Sequence, residues 1–124
     1  MILIYTMKKY QTLLIIDDEQ DICLLLERIL KRHYQVVASS HLLADGLEKA
    51  HALRPSHILL DNNLPDGYGV EAIQRLKVLA PASRVVVISA VDVASEATKA
   101  GADAFVDKPI NLAAIKQALD LSAH

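Results

Sequence analysis

The amino-acid sequence predicts one α/β domain, a doubly wound sheet of five parallel strands with helices on both faces. The first observation is length, because 124 residues are enough for one domain with a sizeable core. The second is composition: 52% of the residues are hydrophobic and 23% are charged, as in globular domains. The third is order, since apolar runs of strand length alternate with amphipathic stretches of helix length, as in successive β-α units with right-handed crossovers.

Five short runs rich in Val, Ile and Leu have the length of strands. They are apolar at nearly every residue, which is typical of parallel strands that are covered on both faces. The runs are TLLIID (12–17), QVVAS (35–39), HILLD (57–61), RVVVIS (84–89) and AFVD (104–107).

Five stretches with helical periodicity follow these strands. The first carries an apolar stripe at helical spacing, formed by Ile22, Leu25, Leu26, Ile29 and Leu30. The later helices are predicted at about 42–53, 69–80, 92–100 and 111–122. The fourth of the five is short, and Gly101 directly after it is predicted to cap it.

Residues 1–10 precede the first complete strand and are predicted to be an N-terminal extension that could be partly disordered, followed by the domain at 11–124. Two interpretations of the start remain open. Met7 could be the natural first residue, or residues 1–6 could add an edge strand or a contact surface.

Composition argues against several classes of function. The formal net charge is −2, whereas a domain that binds nucleic acid or an anionic membrane normally presents a basic surface. No stretch reaches the ~20 apolar residues of a membrane span. Cys23 is the only cysteine, so an internal disulfide is excluded, and its place in the first helix predicts an inert thiol at the surface or boundary. A cytoplasmic location is expected.

Polar residues stand at the predicted carboxyl ends of four strands. Asp17 and Asp18 end the first strand, Asp61 ends the third, Ser89 ends the fourth, and Lys108 follows the fifth. In a doubly wound sheet these ends meet at the edge where ligands bind. A simpler interpretation is that Asp17 and Asp18 cap the first helix, but it leaves Asp61 and Lys108 unexplained.

Three carboxylates at one edge repel each other and need compensation. Raised pKa values, the ammonium group of Lys108 or a bound divalent cation could each supply it. An oxygen-only ligand set favours Mg²⁺, which keeps several waters and also binds phosphate oxygens. An aspartate can attack phosphorus to form an acyl phosphate, and Lys108 and the Ser89 hydroxyl could then stabilise the transferring group.

The chain resembles the receiver domain of two-component response regulators in four motifs that occur in the family's order. The motifs are Asp17-Asp18, LLDNNLPDGYG around Asp61, VVVISA with Ser89, and KAGADAFVDKP with Lys108. The resemblance covers about residues 11–122 and implies a flavodoxin-like sheet order of 2-1-3-4-5. It also implies a phosphorylation switch that is phosphorylated by a sensor histidine kinase or a histidine phosphotransfer protein. Its output would pass to an unknown downstream protein or C-terminal effector domain.

The resemblance further implies roles for individual residues. Asp61 matches the phosphoacceptor, which also contacts the metal. Asp18 matches the acid that binds Mg²⁺ directly, and Asp17 matches the acid that reaches the metal mainly through water. The backbone carbonyl of Asn63 matches the third protein ligand of the metal.

Three more positions match the residues that respond to phosphorylation. Lys108 matches the lysine that pairs with the phosphoryl group, and Ser89 matches the Ser/Thr that pulls the activated loop inward. Phe105 matches the aromatic switch position, although an aromatic residue on a strand could equally be a core residue.

One spacing departs from the family pattern. Ser89 and Lys108 are 19 positions apart, so we predict a fourth helix shortened by close to one turn of ~3.6 residues. In this family the face formed by the fourth helix, the fifth strand and the fifth helix commonly passes the signal on. A short fourth helix therefore predicts altered output through this face, or a mobile segment.

Two alternatives to a switch remain open. The first is a receiver-like interaction scaffold that does not use phosphorylation. The second is a Mg²⁺-dependent phosphatase with an aspartyl nucleophile, but such enzymes usually need Asp-x-Asp on the first strand, where residues 17–21 read DDEQD. As a switch, the domain would not be an enzyme in the ordinary sense, because it would catalyse only its own phosphorylation and dephosphorylation.

Overall fold

The computed structural model of the chain describes residues 10–121, and a five-stranded parallel sheet forms its centre. The strands in chain order are β1 Tyr10–Ile16, β2 Tyr34–Ser40, β3 His57–Asp61, β4 Asn63–Leu64, β5 Gly67–Tyr68, β6 Arg84–Ser89 and β7 Ala104–Asp107. The sheet has the order β2-β1-β3-β6-β7, while β4 and β5 form a separate two-stranded antiparallel hairpin. Without the hairpin, this is the predicted 2-1-3-4-5 order, which is confirmed.

Five α-helices lie within residues 10–121, of which four connect strands and the fifth follows β7. They are α1 Gln20–Leu30, α2 Leu43–Leu53, α3 Gly69–Leu79, α4 Ala94–Ala100 and α5 Leu112–Ala118, with a short 3-10 helix at Lys31–His33. The interpretations offered for Met7 and for residues 1–6 lie outside the described residues.

Successive residues of the central strand pack on opposite faces of the sheet. Leu13 and Ile15 of β1 join a core with residues of α1 and α5. Leu14 and Ile16 join a second core with residues of α2, α3 and α4. All four side chains are at most 1% exposed, which explains why β1 is apolar throughout rather than alternating. The prediction of helices on both faces is confirmed.

The strand register brings the predicted polar positions to one edge. Ile16 pairs with Leu60, Asp61 with Ile88, and Ser89 with Asp107, so the strands finish nearly level with each other. Backbone hydrogen bonds continue past the strand ends, where the N–H of Lys108 donates to the carbonyl of Ser89 at 2.9 Å.

The apolar stripe of α1 differs from the predicted one. Cys23, Leu26 and Leu30 are buried, whereas Leu25 is 48% exposed. Residues at spacings of three and four share one helix face, and Leu25 is rotated ~100° away from Leu26. The prediction of a surface or boundary thiol at Cys23 is therefore wrong: the side chain is 3% exposed and its Sγ donates to the carbonyl of Asp17 at 3.4 Å.

The prediction of a short fourth helix is confirmed. Helix α4 has seven residues, as has α5, against eleven in each of α1, α2 and α3. Gly101 caps it as predicted, with a φ of 106°, a backbone conformation that side chains with a Cβ rarely adopt. The altered output inferred from this short helix stays a prediction.

None of the helices within residues 10–121 is long and apolar enough to cross a membrane.

Candidate functional site

A lysine at the carboxyl edge of the sheet lies between three carboxylates. The Nζ of Lys108 is 3.4 Å from Oδ1 of Asp61, 3.7 Å from Oδ2 of Asp17 and 3.4 Å from Oε1 of Glu19. Asp17 directly follows β1, Asp61 is the last residue of β3, and Lys108 directly follows β7. The fold thus brings together residues from three separate parts of the sequence, as their predicted strand ends require.

Asp61 is buried and its charge is poorly compensated. Its side chain is 4% exposed, and Oδ1 accepts a hydrogen bond from the N–H of Asn63 at 3.3 Å. Burial and the nearby charge of Asp17 raise the pKa of Asp61 to about 6, although Lys108 and the Asn63 N–H oppose this shift. The other oxygen, Oδ2, accepts no hydrogen bond from residues 10–121.

Asp17 is buried beside it, with its side chain 3% exposed. Burial raises its pKa above the ordinary value, while the N–H of Glu19, which donates to Oδ1 at 2.9 Å, and the charge of Lys108 lower it. Burial also disfavours the charged form of Lys108, but the carboxylates of Asp17, Asp61 and Glu19 together outweigh it and raise the lysine pKa. Lys108 therefore stays a cation at neutral pH and stabilises both acids.

Helix capping does not explain the adjacent pair of aspartates. The N-cap residue of α1 is Glu19, and its side chain makes no capping hydrogen bond within the described part of the chain. Asp17 accepts the N–H of this N-cap residue rather than an N–H of the first helical turn. Asp18 is exposed and accepts no hydrogen bond from residues 10–121.

The acidic residues fit a hard divalent cation. One carboxylate oxygen from each of Asp17, Asp18 and Glu19 lies within 4.8 Å of the others. All these donors are oxygens, and within residues 10–121 neither oxygen of Asp18 accepts a hydrogen bond. The single positive charge of Lys108 does not fully compensate the nearby carboxylates, so the pKa of Asp61 stays raised. A bound cation nearby would lower it.

The remaining predicted site residues lie around this centre. Asn63 is exposed in β4, two residues after Asp61. Ser89 is 1% exposed at the end of β6, and its Oγ accepts the N–H of Val91 at 3.1 Å. Phe105 of β7 is half-buried and packs against the core that α2, α3 and α4 cover. Phe105 pairs with Val87, two residues before Ser89, and is therefore set back from the edge.

Asn62, to which the sequence pattern assigns no role, fixes the backbone after Asp61. It is 5% exposed, and its N–H donates to the carbonyl of Ile88 at 3.1 Å. Its carbonyl accepts the N–H of Gly69 at 2.8 Å, and its side-chain Oδ1 accepts the N–H of Val70 at 3.0 Å. Asn is a frequent capping residue, but a cap supplied from eight positions away has no recognisable spacing in the sequence.

Gly69 is required where α3 approaches the end of β3. A Cβ at this position would lie 2.5 Å from the carbonyl oxygen of Asp61 and 2.9 Å from Cγ of Leu60. Both distances are far shorter than van der Waals contact. Only glycine therefore allows α3 to begin directly against the residue that carries the central carboxylate.

His41 is a second residue that sequence reasoning missed. Its ring Nδ1 lies 2.9 Å from the carbonyl oxygen of Asp17, to which the thiol of Cys23 also donates. The two side chains hold the backbone between β1 and the acidic residues. His41 lies 24 positions after Asp17 and matches no motif, so the sequence carries no signal for this contact.

Comparisons with known proteins agree with this geometry. Residues 13–120 match the family described as the response regulator receiver domain. The chain is 30% identical over 111 residues to the chemotaxis protein CheY of Thermotoga maritima, covering 86% of this chain and 92% of CheY. It is 36% identical over 111 residues to the response regulator protein PilR of Pseudomonas aeruginosa, of which it covers only 25%.

A solved structure shows the same fold. It is a response regulator protein from Burkholderia pseudomallei with a phosphorylated aspartic acid, a calcium ion and citrate. The TM-score is 0.82 at 30% sequence identity, and the match covers 91% of this chain and 71% of that protein. The family match spans most of the chain and agrees with the sheet order and the acidic edge, so the protein belongs to the response regulator receiver domains, the signalling switches of two-component systems.

Proposed function

We propose that this domain is switched by transfer of a phosphoryl group to Asp61 from a histidine kinase or a histidine phosphotransfer protein, in the presence of Mg²⁺. One observation carries the proposal: the buried Asp61 carboxylate lies at the sheet edge with the Lys108 ammonium 3.4 Å from one of its oxygens. The Burkholderia relative described with a phosphorylated aspartic acid supports the same chemistry.

The proposed reaction is a displacement at phosphorus. A carboxylate oxygen of Asp61 attacks, a new O–P bond forms, and the bond from phosphorus to the donor nitrogen breaks, leaving the electron pair on the histidine ring. Oδ1 is engaged by Lys108 and the Asn63 N–H, whereas Oδ2 accepts no hydrogen bond from the described residues. Oδ2 is therefore the attacking atom in this proposal.

Mg²⁺, when bound, would balance negative charge on the phosphoryl oxygens. Asp18 is proposed as its direct carboxylate ligand because it is exposed and accepts no hydrogen bond from residues 10–121. Asp17 is proposed to hold a water of the ion, since its carboxylate is already occupied by the Glu19 N–H and Lys108. Asp61 and the backbone carbonyl of Asn63 complete the proposed set.

The added charge is proposed to shift an equilibrium between two conformations. Lys108 would turn from the carboxylates to the phosphoryl group, and the Ser89 hydroxyl would donate to one of its oxygens. Phe105 lies on β7, the strand beside the one that carries Ser89, and packs against the core that α4 covers. It would change its packing and pass the change to the face formed by α4, β7 and α5. Domain bounds of 11–124 remain our proposal for the switching unit.

The output partner is proposed only by class. The chain spans almost all of CheY but a quarter of PilR, so either a separate downstream protein or an attached effector domain fits the comparisons. Direct binding of nucleic acid or membrane by this domain is not expected at a net charge of −2. The cytoplasmic location stays a prediction from the sequence.

One experiment separates the switch from its alternatives. The protein is incubated with Mg²⁺ and acetyl phosphate and followed by intact mass, with beryllofluoride and amide shifts as a second readout and Asp61→Asn as the control. A gain of one phosphoryl mass, or large shifts, that the variant lacks would support the switch. Multiple turnover of a phosphoester would indicate a phosphatase instead. If the protein is neither phosphorylated nor able to turn over a phosphoester, the interaction scaffold is favoured. The seven-residue α4 is the observation that supports this alternative.

A further inference from the structure

The hairpin after Asp61 is bound at its tip to the start of α2. Strands β4 and β5 pair Asn63 with Tyr68 and Leu64 with Gly67, leaving Pro65 and Asp66 as the turn. Oδ1 of Asp66 accepts the N–H of Leu43 at 2.7 Å, and Oδ2 accepts the N–H of Ala44 at 2.9 Å. Asp66 lies 23 positions after Leu43, so this is a tertiary contact and not a local turn.

The Asp66 carboxylate accepts the hydrogen bonds of the first two N–H groups of α2. The N-cap residue is Leu42, and its side chain cannot accept a hydrogen bond. The first N–H groups of a helix have no partner within the helix, and they carry its partial positive charge. The N–H groups of Ala44 and Leu43 hold the pKa of Asp66 below its ordinary range, so the carboxylate stays charged and bound at neutral pH.

The hairpin backbone is therefore fixed between two helix N-termini. Asn62 binds its first end to α3 through the N–H groups of Gly69 and Val70. Asp66 binds its tip to α2. Leu64 buries its side chain in the second core between these two anchors. Asn63, whose carbonyl is proposed to bind the cation, lies between Asn62 and the tip.

We infer that Asp66 is a positioning residue for the cation site, because it fixes the hairpin tip to α2 and so sets the direction of the Asn63 carbonyl. The inference deepens the proposed function and rests on it. Its consequence is a coupling: binding of a divalent cation at the carboxyl edge and ordering of the first turn of α2 stabilise each other.

The test compares Asp66→Ala and Asp66→Asn with the unaltered chain. Mg²⁺ alone is titrated and followed by calorimetry and by the amide shift of Asn63. We expect the Mg²⁺ dissociation constant to rise about three- to tenfold in Asp66→Ala, and less in Asp66→Asn, whose amide oxygen keeps one acceptor. A second measurement without metal follows amide hydrogen exchange at Leu43, Ala44 and residues 63–68. Exchange should accelerate in both segments of Asp66→Ala.

Two control variants separate positioning from general effects. Glu48→Ala removes an exposed negative charge from the same helix, and Asn111→Ala removes the cap of α5, in which Oδ1 accepts the N–H of Ala114 at 3.0 Å. Both should leave the Mg²⁺ dissociation constant within twofold of the unaltered chain. An unchanged constant in Asp66→Ala, or faster exchange confined to α2, would overturn the inference while the unaltered chain still binds Mg²⁺ and is phosphorylated. Failure of the unaltered chain itself would instead refute the proposed function.

Discussion

The Nζ of Lys108 lies 3.4 Å from Oδ1 of Asp61 and 3.7 Å from Oδ2 of Asp17. One cation thus serves two buried acids that would otherwise repel each other. Lys108→Met, which keeps the length and apolar part of the side chain, should raise the pKa of Asp61 above its present value of about 6. The measurement is a pH titration of the side-chain carboxyl ¹³C shift without metal. A pKa in Lys108→Met that is equal to or lower than the one measured in the unaltered chain would show that Lys108 does not stabilise the charged form.

Stability should depend on the charge of Asp61. Its pKa is raised from 3.8 to about 6 in the folded chain, so between these values the folded state binds more protons than the unfolded state. The contribution of Asp61 to the free energy of unfolding is fully present below pH 3.8 and is lost as the pH rises through about 6. At pH 7 its burial therefore destabilises the fold, by about 3 kcal/mol.

Asp61→Asn removes this charge and should raise the free energy of unfolding at pH 7. The difference from the unaltered chain should shrink as the pH approaches 4, because Asp61 itself is then neutral in the folded state. Urea unfolding at several pH values, in the presence of a chelator, measures both quantities. A variant less stable than the unaltered chain at pH 7 would contradict the prediction.

Loss of Asp18 should weaken Mg²⁺ binding more than loss of Asp17. Asp18 is exposed and accepts no hydrogen bond from residues 10–121, whereas Asp17 is engaged by the Glu19 N–H and Lys108. We expect the dissociation constant to rise about tenfold or more in Asp18→Ala and about threefold in Asp17→Ala, by calorimetry. Equal or reversed losses would mean that the two aspartates do not divide their roles in this way.

Gly69→Ala should destabilise the fold although alanine normally favours a helix over glycine. The added Cβ would meet the Asp61 carbonyl at 2.5 Å, and that backbone cannot move without displacing the end of β3. A loss of about 1–3 kcal/mol in urea unfolding is expected. In the comparison variant Gly46→Ala, the atoms nearest the new Cβ all belong to the Ile16 side chain, with Cδ1 at 2.7 Å, Cγ1 at 3.0 Å and Cγ2 at 3.1 Å, so the contact is relieved by repacking one side chain rather than by moving backbone. A smaller loss for Gly69→Ala than for Gly46→Ala would be the contrary result.

The fold was predictable because each strand is a compact apolar run between amphipathic helices. Burial on both faces leaves a continuous apolar signal, and the carboxyl ends of parallel strands must meet at one edge. The convergence of Asp17, Asp61 and Lys108 followed from these two facts. The two-residue strands β4 and β5 carry no such signal, since alternation cannot be read over two residues.

The contacts around the site could not be predicted for a related reason. Asn62, Asp66 and His41 each bind backbone groups of another element, and no rule of spacing links them to their partners. The burial of Cys23 was missed because apolar side chains occur on both the buried and the exposed face of α1. A shift of one residue along the sequence moves the predicted stripe from one face to the other.

The two helix-bound anchors of the β4–β5 hairpin limit how this region can be exchanged between receiver domains. A chimera that transplants only residues 61–70 would bring Asp66 but not a helix start placed to receive it. The donor's first turn of α2 would have to be grafted together with the loop, because Leu43 and Ala44 supply the groups that Asp66 binds. The smallest transferable unit around the acidic edge is thus discontinuous in sequence.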